Sequence, residues 1–162
     1  MIREATADDL PSILEIVNYE IAHSTSIYDE EPRTLEMQLN WFEEKKQQNF
    51  PVFVALLDEK VIGFATYGTF RAKSGFRFTV EHSVYVNMEF SGRGIGKQLL
   101  ETLITFAKAK NLHRMIGCID AENQSSIAFH EKFGFKKSGI LKETGFKFNR
   151  WLDLQFMVLD LA

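Results

Sequence analysis

Three glycines spaced two apart, Gly92, Gly94 and Gly96, stand between a stretch that alternates like a strand, Thr79 to Val86, and an apolar-striped run beginning at Ile95. Glycine lacks the Cβ that would keep an anion at a distance. The first turn of a helix leaves its N–H groups unpaired at the positive end of the macrodipole. A strand, a glycine turn and a helix in that order suit a phosphate group. We expect a phosphorylated cofactor at this turn, with chemistry beside it.

The segments that must position the turn are marked by period and punctuation. Met1 to Ala5 reads as a short edge strand, and Thr6-Ala-Asp-Asp offers N-caps for a helix carrying Leu10, Ile13, Leu14, Val17 and Ile21. His23 to Arg33 is polar and irregular. A second helix is expected from a cap at Thr34 to near Gln48, before Pro51. Val52 to Leu57 and Lys60 to Tyr67 read as strands joined at Asp58-Glu59. Thr69 to Gly75 reads as a loop leading into one long strand, Phe76 to Val86. The helix after the glycines carries Ile95, Leu99, Leu100, Leu103, Ile104, Phe106 and Ala107, a stripe wide enough to lie on a sheet. Met115 to Ile119 is continuously apolar, as in a strand covered on both faces. Asn123 caps a helix through Phe133 that Gly134 closes. Phe135 to Leu141 and Arg150 to Leu161 read as strands separated by a loop, Glu143 to Asn149. The order predicts a mixed α/β fold with one parallel crossover around the glycine helix.

Composition narrows the partners. A length of 162 residues suits one domain, residues 1–162, able to bury roughly two thirds of its unfolded surface. The net charge of −3 argues against a nucleic-acid surface or a polybasic membrane face. Lys45-Lys46 and Lys136-Lys137 read as solvated pairs. The single cysteine, Cys118, excludes an internal disulfide, suits a reducing compartment and reads as core. With no apolar run of membrane length and no leader, we expect a cytoplasmic protein.

Three blocks in sequence then carry a resemblance. Val84-Tyr85-Val86 with Ser91-Gly92-Arg93-Gly94-Ile95-Gly96, then Asn123-Gln124-Ser125-Ser126, then His130-Glu131-Lys132-Phe133-Gly134-Phe135, resemble the GCN5-related N-acetyltransferases. Thr79 to Val86, Gly139 to Lys147 and Trp151-Leu152-Asp153 look like the phosphinothricin and methionine-sulfone branch of that family. The resemblance implies a mixed sheet of about seven strands flanked by about four helices. It implies acetyl transfer from acetyl-CoA, with no metal, to the α-amine of a small amino-acid derivative by direct attack. Ser91 stands where the wider family has Gln or Arg, and His130 where many members have a tyrosine that protonates the leaving thiolate.

What the resemblance implies can be set residue by residue. An amine arrives protonated near neutral pH and must lose a proton before it attacks. Glu81, on the strand face of Ser83 and Tyr85, is the expected base, and His130 either protonates the thiolate or relays a proton, or is a satisfied structural group of its helix. His82 should face the other way and reads as packing or as a support behind the site. The backbone of Val84, Tyr85 and Val86 should pair with the pantetheine arm. The amides of Ser91, Gly92, Arg93, Gly94, Ile95 and Gly96 should take the pyrophosphate, with charge from Arg93 and Lys97 and a further contact from Asn123. Arg77 and Arg71 are fork-shaped donors for the acceptor's carboxylate and oxygen-rich side chain. Gly75, Phe76, Phe78, Tyr28 and Ile27 would supply the acceptor wall.

The acceptors implied are phosphinothricin, methionine sulfone and methionine sulfoximine, with resistance to such compounds as a by-product. A protein N-terminus or another amine is the alternative acceptor. A CoA-binding sensor without turnover is disfavoured, since a mere binder needs neither Glu81 nor His130. A homodimer is expected, with the loop from Glu143 to Trp151 at its interface or over the pocket.

Overall fold

The computed structural model describes residues 1–162. Seven strands form one sheet: β1 (Ile2–Glu4), β2 (Val52–Leu57), β3 (Lys60–Thr69), β4 (Thr79–Val86), β5 (Arg114–Asp120), β6 (Lys136–Lys147) and β7 (Arg150–Asp160). Their order in space is β1-β2-β3-β4-β5-β7-β6. Every pair is antiparallel except β4 with β5. Four helices, α1 (Leu10–His23), α2 (Leu35–Gln47), α3 (Ile95–Ala109) and α4 (Gln124–Glu131), cover the two faces. The predicted class and the parallel crossover through α3 both stand. No helix is long and apolar enough to cross a membrane.

Local chemistry explains most boundaries. Thr34 Oγ1 accepts the Met37 amide to start α2, and Asn123 Oδ1 accepts the Ser126 amide to start α4. Asp58 and Glu59 both take positive φ, the turn a two-residue hairpin requires. Asp9 binds β1 to α1, accepting both guanidinium nitrogens of Arg3 at 2.7 and 3.0 Å and the Thr6 amide at 2.8 Å. Leu99, Leu100, Leu103 and Ala107 of α3 pack with Ile62, Val80, Met115 and Met157 on one face of the sheet. Leu10, Ile13, Val17 and Phe42 of α1 and α2 pack with Val54 and Phe64 on the other.

The structure corrects three expectations. β4 begins at Thr79, because Ser74–Phe76 coils into a single 3-10 turn closed by the Phe76 amide on Lys73 O and the Arg77 amide on Ser74 O. The span read as a loop, Glu143 to Asn149, is strand through Lys147. Only Phe148 and Asn149, at φ of 52° and 58°, make the turn. A register shift between Leu141 and Gly145 absorbs the turn-forming residues, held by Asp153 accepting the Glu143 amide and the Lys142 ammonium. Lys45 is not a solvated partner of Lys46. Its Nζ donates to Tyr67 O at 2.8 Å between the rings of Trp41 and Phe50, and burial lowers its pKa to about 8.

Candidate active site

The parallel pairing of β4 with β5 is short. It runs through Thr79–Arg114, Val80–Met115 and Glu81–Ile116 and then stops, so the strands splay. Beyond Glu81, β4 stays paired with β3 on its far side only, leaving the edge from His82 to Val86 open toward β5. A wedge with unpaired backbone groups in the middle of a sheet can accept another extended chain.

A cleft of about 860 Å³ opens on one face of the wedge. The alternating residues His82, Val84 and Val86 form its floor. Ser91, Gly92, Gly94, Ile95, Gly96 and Lys97 form one end, and Ser126, Phe129 and His130 of α4 a side wall. Gly92 and Gly94 have φ of 76° and 78°, and a Cβ on either would meet nothing within 4 Å. Gly94 is the N-cap of α3 with no side chain to cap it, so the first-turn amides stay free for an anion. These residues fit a pyrophosphate. Ser91 fits less well than its backbone promised, because its amide already donates to Met88 O at 3.2 Å. Arg93 stacks over Phe90 outside the cleft lining, and Lys97 reaches Glu101 at 3.8 Å. Asn123 caps α4 and also lines a small cavity of about 80 Å³ within the wedge.

On the opposite face lies a pocket of about 470 Å³. Glu81, Ser83 and Tyr85 form its floor, so the Tyr85 side chain belongs here although its backbone borders the wedge. Ser26 and Tyr28 come from the segment after α1, Phe70 and Arg71 from just past the end of β3, Cys118 from β5, and Leu154 and Phe156 from β7, with His82 of β4 also at its edge. Of the acceptor residues expected from sequence, Arg71 and Tyr28 reach this pocket. Arg77, Gly75 and Phe76 do not line it, nor do Phe78 and Ile27. The Arg77 guanidinium donates to Ser74 O and stacks on Phe78 in solvent, a consequence of the 3-10 turn. Cys118, read as core, is half-buried at the pocket wall, where burial and the Glu81 carboxylate push its thiol pKa up.

Tyr28 hangs on a segment clamped from below. Lys147, 2% exposed, donates to Ser24 O at 2.7 Å and Ile27 O at 2.6 Å, and Thr25 Oγ1 donates to Asp120. The Tyr28 hydroxyl is buried without a partner, and burial pushes its pKa to about 12, so it stays a protonated donor. Gly145 makes room for that ring: a Cβ there would stand 2.5 Å from Tyr28 Cε2. Gly145→Ala must displace the ring, and overpacking of this kind costs ~1–3 kcal/mol. We expect the acceptor KM to rise about tenfold with the acetyl-CoA KM unchanged, read by steady-state kinetics with each substrate varied.

His82 and His130 form a buried pair, Nε2 to Nε2 at 3.1 Å, with rings stacked at 5.0 Å. Sequence reading missed this contact, since the residues are 48 apart in the chain. No group of three or more His, Cys, Asp and Glu side chains could hold a metal ion.

An open wedge, a glycine turn at one end of its cleft and a carboxylate in a second pocket on the other face of β4 are an arrangement suited to group transfer between two bound molecules. An acetyltransferase (GNAT) domain family matches residues 2–156. The L-methionine sulfoximine/L-methionine sulfone acetyltransferase of Pseudomonas paraeruginosa is 45% identical over 99% of this chain and 94% of its own length. A crystal structure of an N-acetyltransferase from Staphylococcus aureus Mu50 superposes with a TM-score of 0.99, at 44% identity over 100% of this chain and 98% of that one. A phosphinothricin acetyltransferase from Sinorhizobium meliloti in complex with acetyl-CoA gives 0.97, at 38% identity over 100% and 88%. The chain belongs to the GNAT acetyltransferase family.

Proposed function

We propose that this enzyme moves the acetyl group of acetyl-CoA to the α-amine of a small amino acid whose side chain ends in a tetrahedral, oxygen-rich centre. Methionine sulfone, methionine sulfoximine and phosphinothricin have that form. The observation that carries the reading is the position of Glu81. It is the last β4 residue paired with β5, so its carboxylate faces the acceptor pocket where the open edge toward the cofactor cleft begins.

Acetyl-CoA supplies the acetyl group as a thioester. The free amides after Gly94 hold its pyrophosphate, and the open edge of Val84 to Val86 lays out its pantetheine arm with Asn123 near the wedge. Arg71 and the Tyr28 hydroxyl receive the acceptor's carboxylate and side-chain oxygens. Glu81 takes a proton from the ammonium so that its lone pair can attack. The names of the Pseudomonas and Sinorhizobium relatives support this acceptor class. Residues 1–162 act as one domain in this reading, in a reducing, cytoplasmic setting that suits the lone cysteine. Phe146, Phe148 and Trp151, exposed on the β6–β7 hairpin, offer an apolar face for a second copy. Resistance to phosphinothricin-like compounds would follow from the chemistry.

Thiol release from acetyl-CoA, measured with a panel of amines, tests the acceptor. Methionine sulfone and phosphinothricin should release CoA well above a no-amine blank. Release with a peptide N-terminus and none with either amino acid would move the enzyme to the alternative acceptor class. No release with any amine would leave a sensor.

A further inference from the structure

The buried histidine pair has a proton inventory that the geometry fixes. His130 Nδ1 lies 2.7 Å from Ser126 O, and a carbonyl only accepts, so that nitrogen carries a hydrogen. Between the two Nε2 atoms, 3.1 Å apart, there is room for one hydrogen. A neutral pair has two hydrogens, and both are now placed. His82 Nδ1 is left as a bare lone pair. That atom is buried and has no hydrogen-bond partner, on a residue 8% exposed. A third proton has one place to go, His82 Nδ1, whichever ring then carries the charge, because the shared hydrogen can shift toward His130 as the new one arrives.

We propose that His82 is a catalytic residue of the transfer, exchanging a proton through Nδ1, and that His130 is its positioning partner. The assignment rests on the acetyl-transfer reading above. His82 is the one residue common to the cofactor cleft, the acceptor pocket and the wedge cavity between them. Gly117 keeps the pair together, since a Cβ there would stand 3.2 Å from His82 Nε2 and 3.6 Å from the His130 ring.

The step balances with nothing added. The acceptor nitrogen, having lost one proton to Glu81, bonds to the thioester carbonyl carbon and the C–S bond breaks. A second proton leaves that nitrogen for His82 Nδ1 and is passed to the sulfur, which departs as a thiol. One C–N bond replaces one C–S bond, one proton moves from nitrogen to sulfur, Glu81 releases the other to water, and the pair returns to neutral. Burial lowers the proton affinity of both rings, with His130 adding to the effect on His82. The lone pair is therefore vacant between turnovers. In the proposed step, negative charge growing on a sulfur laid in the wedge that His82 lines raises that affinity when the proton must be held. The titratable groups around His82 are His130 on α4, Tyr67 opposite it on β3, Tyr85 on its own strand and Cys118 and Asp120 across the wedge on β5, with Glu81 in the acceptor pocket that His82 also lines.

His82→Gln separates this role from a structural one. The glutamine amide can still donate to His130 Nε2, but no atom replaces the Nδ1 lone pair. We expect kcat to fall about 100-fold with the acetyl-CoA KM within about threefold of wild type. A kcat for His82→Gln within about threefold of wild type would reduce His82 to an orienting group and overturn the proposal. Wild-type turnover of methionine sulfone in the same assay reports separately on the acetyl-transfer reading. Imidazole 15N NMR of the free wild-type protein at neutral pH needs no turnover. It should show hydrogen on His82 Nε2 and His130 Nδ1, and hydrogen on His82 Nδ1 instead would equally sink the assignment.

Discussion

Glu81→Gln is expected to lower kcat by roughly 10²- to 10⁴-fold while acetyl-CoA affinity stays close to wild type. The size follows from what the substitution removes. Glutamine keeps the shape of the side chain and its place at the end of the β4–β5 pairing, but its amide oxygen cannot take up the ammonium proton. Acetyl-CoA affinity is insulated because Glu81 faces the acceptor pocket and is absent from the lining of the cofactor cleft. Raising the pH deprotonates more of the free amine in solution, so part of the lost rate should return at alkaline pH. Isothermal titration with CoA and a kcat profile with pH measure the two halves. Unchanged kcat at neutral pH, or a large loss of CoA affinity, would take Glu81 out of the proton step.

Gly94→Val should act on the other substrate. Gly94 sits at φ 78° at the head of α3, a conformation that a β-branched residue adopts only under strain of ~1–3 kcal/mol. Gly94 lines the cleft and a Cβ there would meet nothing within 4 Å, so the added side chain has room to crowd an anion off the free amides. Each charge-assisted hydrogen bond lost there is worth ~1.5–3 kcal/mol. Together these predict an acetyl-CoA KM raised on the order of 100-fold, with kcat at saturation reduced far less. Glycine in the same turn at Gly96 makes a useful contrast. It has ordinary helical φ, and a Cβ there would meet Val86 and Phe129 only at 3.6 and 3.8 Å, so Gly96→Ala carries no backbone strain. Equal effects of the two substitutions on acetyl-CoA KM would show that cleft volume, not the left-handed turn, governs binding.

The parts of this site that can be read from the chain are those encoded within a few residues. The glycine turn and the alternation along β4 are local facts: the turn precedes α3, and Val84 and Val86 line one cleft while Glu81, Ser83 and Tyr85 line the other, with His82 lining both. The acceptor pocket is different in kind. Its walls come from the segment after α1, the end of β3, the middle of β5 and the middle of β7, and no local period says which of these meet. Arg77 misleads for a related reason. Phe76 to Phe78 alternates like a strand, yet a hydrogen-bonded turn at Ser74–Phe76 ends the pattern and sends the guanidinium into solvent. Lys147 is hidden by its setting among turn formers, where a lysine reads as surface. It is buried because two backbone carbonyls of the acceptor segment accept its protons.

The splay of β4 from β5 also bears on how the molecule should be handled. Strand edges with unpaired amides are normally confined to the rim of a sheet, where charge or proline protects them. Here such an edge lies at the centre, and an extended thioester-bearing arm laid along it would complete the ladder as a strand the polypeptide does not encode. Folded chain and ligand then share one hydrogen-bonded lattice, and resistance to unfolding becomes a function of ligand activity. A ligand at 100 times its Kd adds about 2.7 kcal/mol through mass action alone. Preparations that differ only in residual CoA would then melt at different temperatures, with no change in the protein itself.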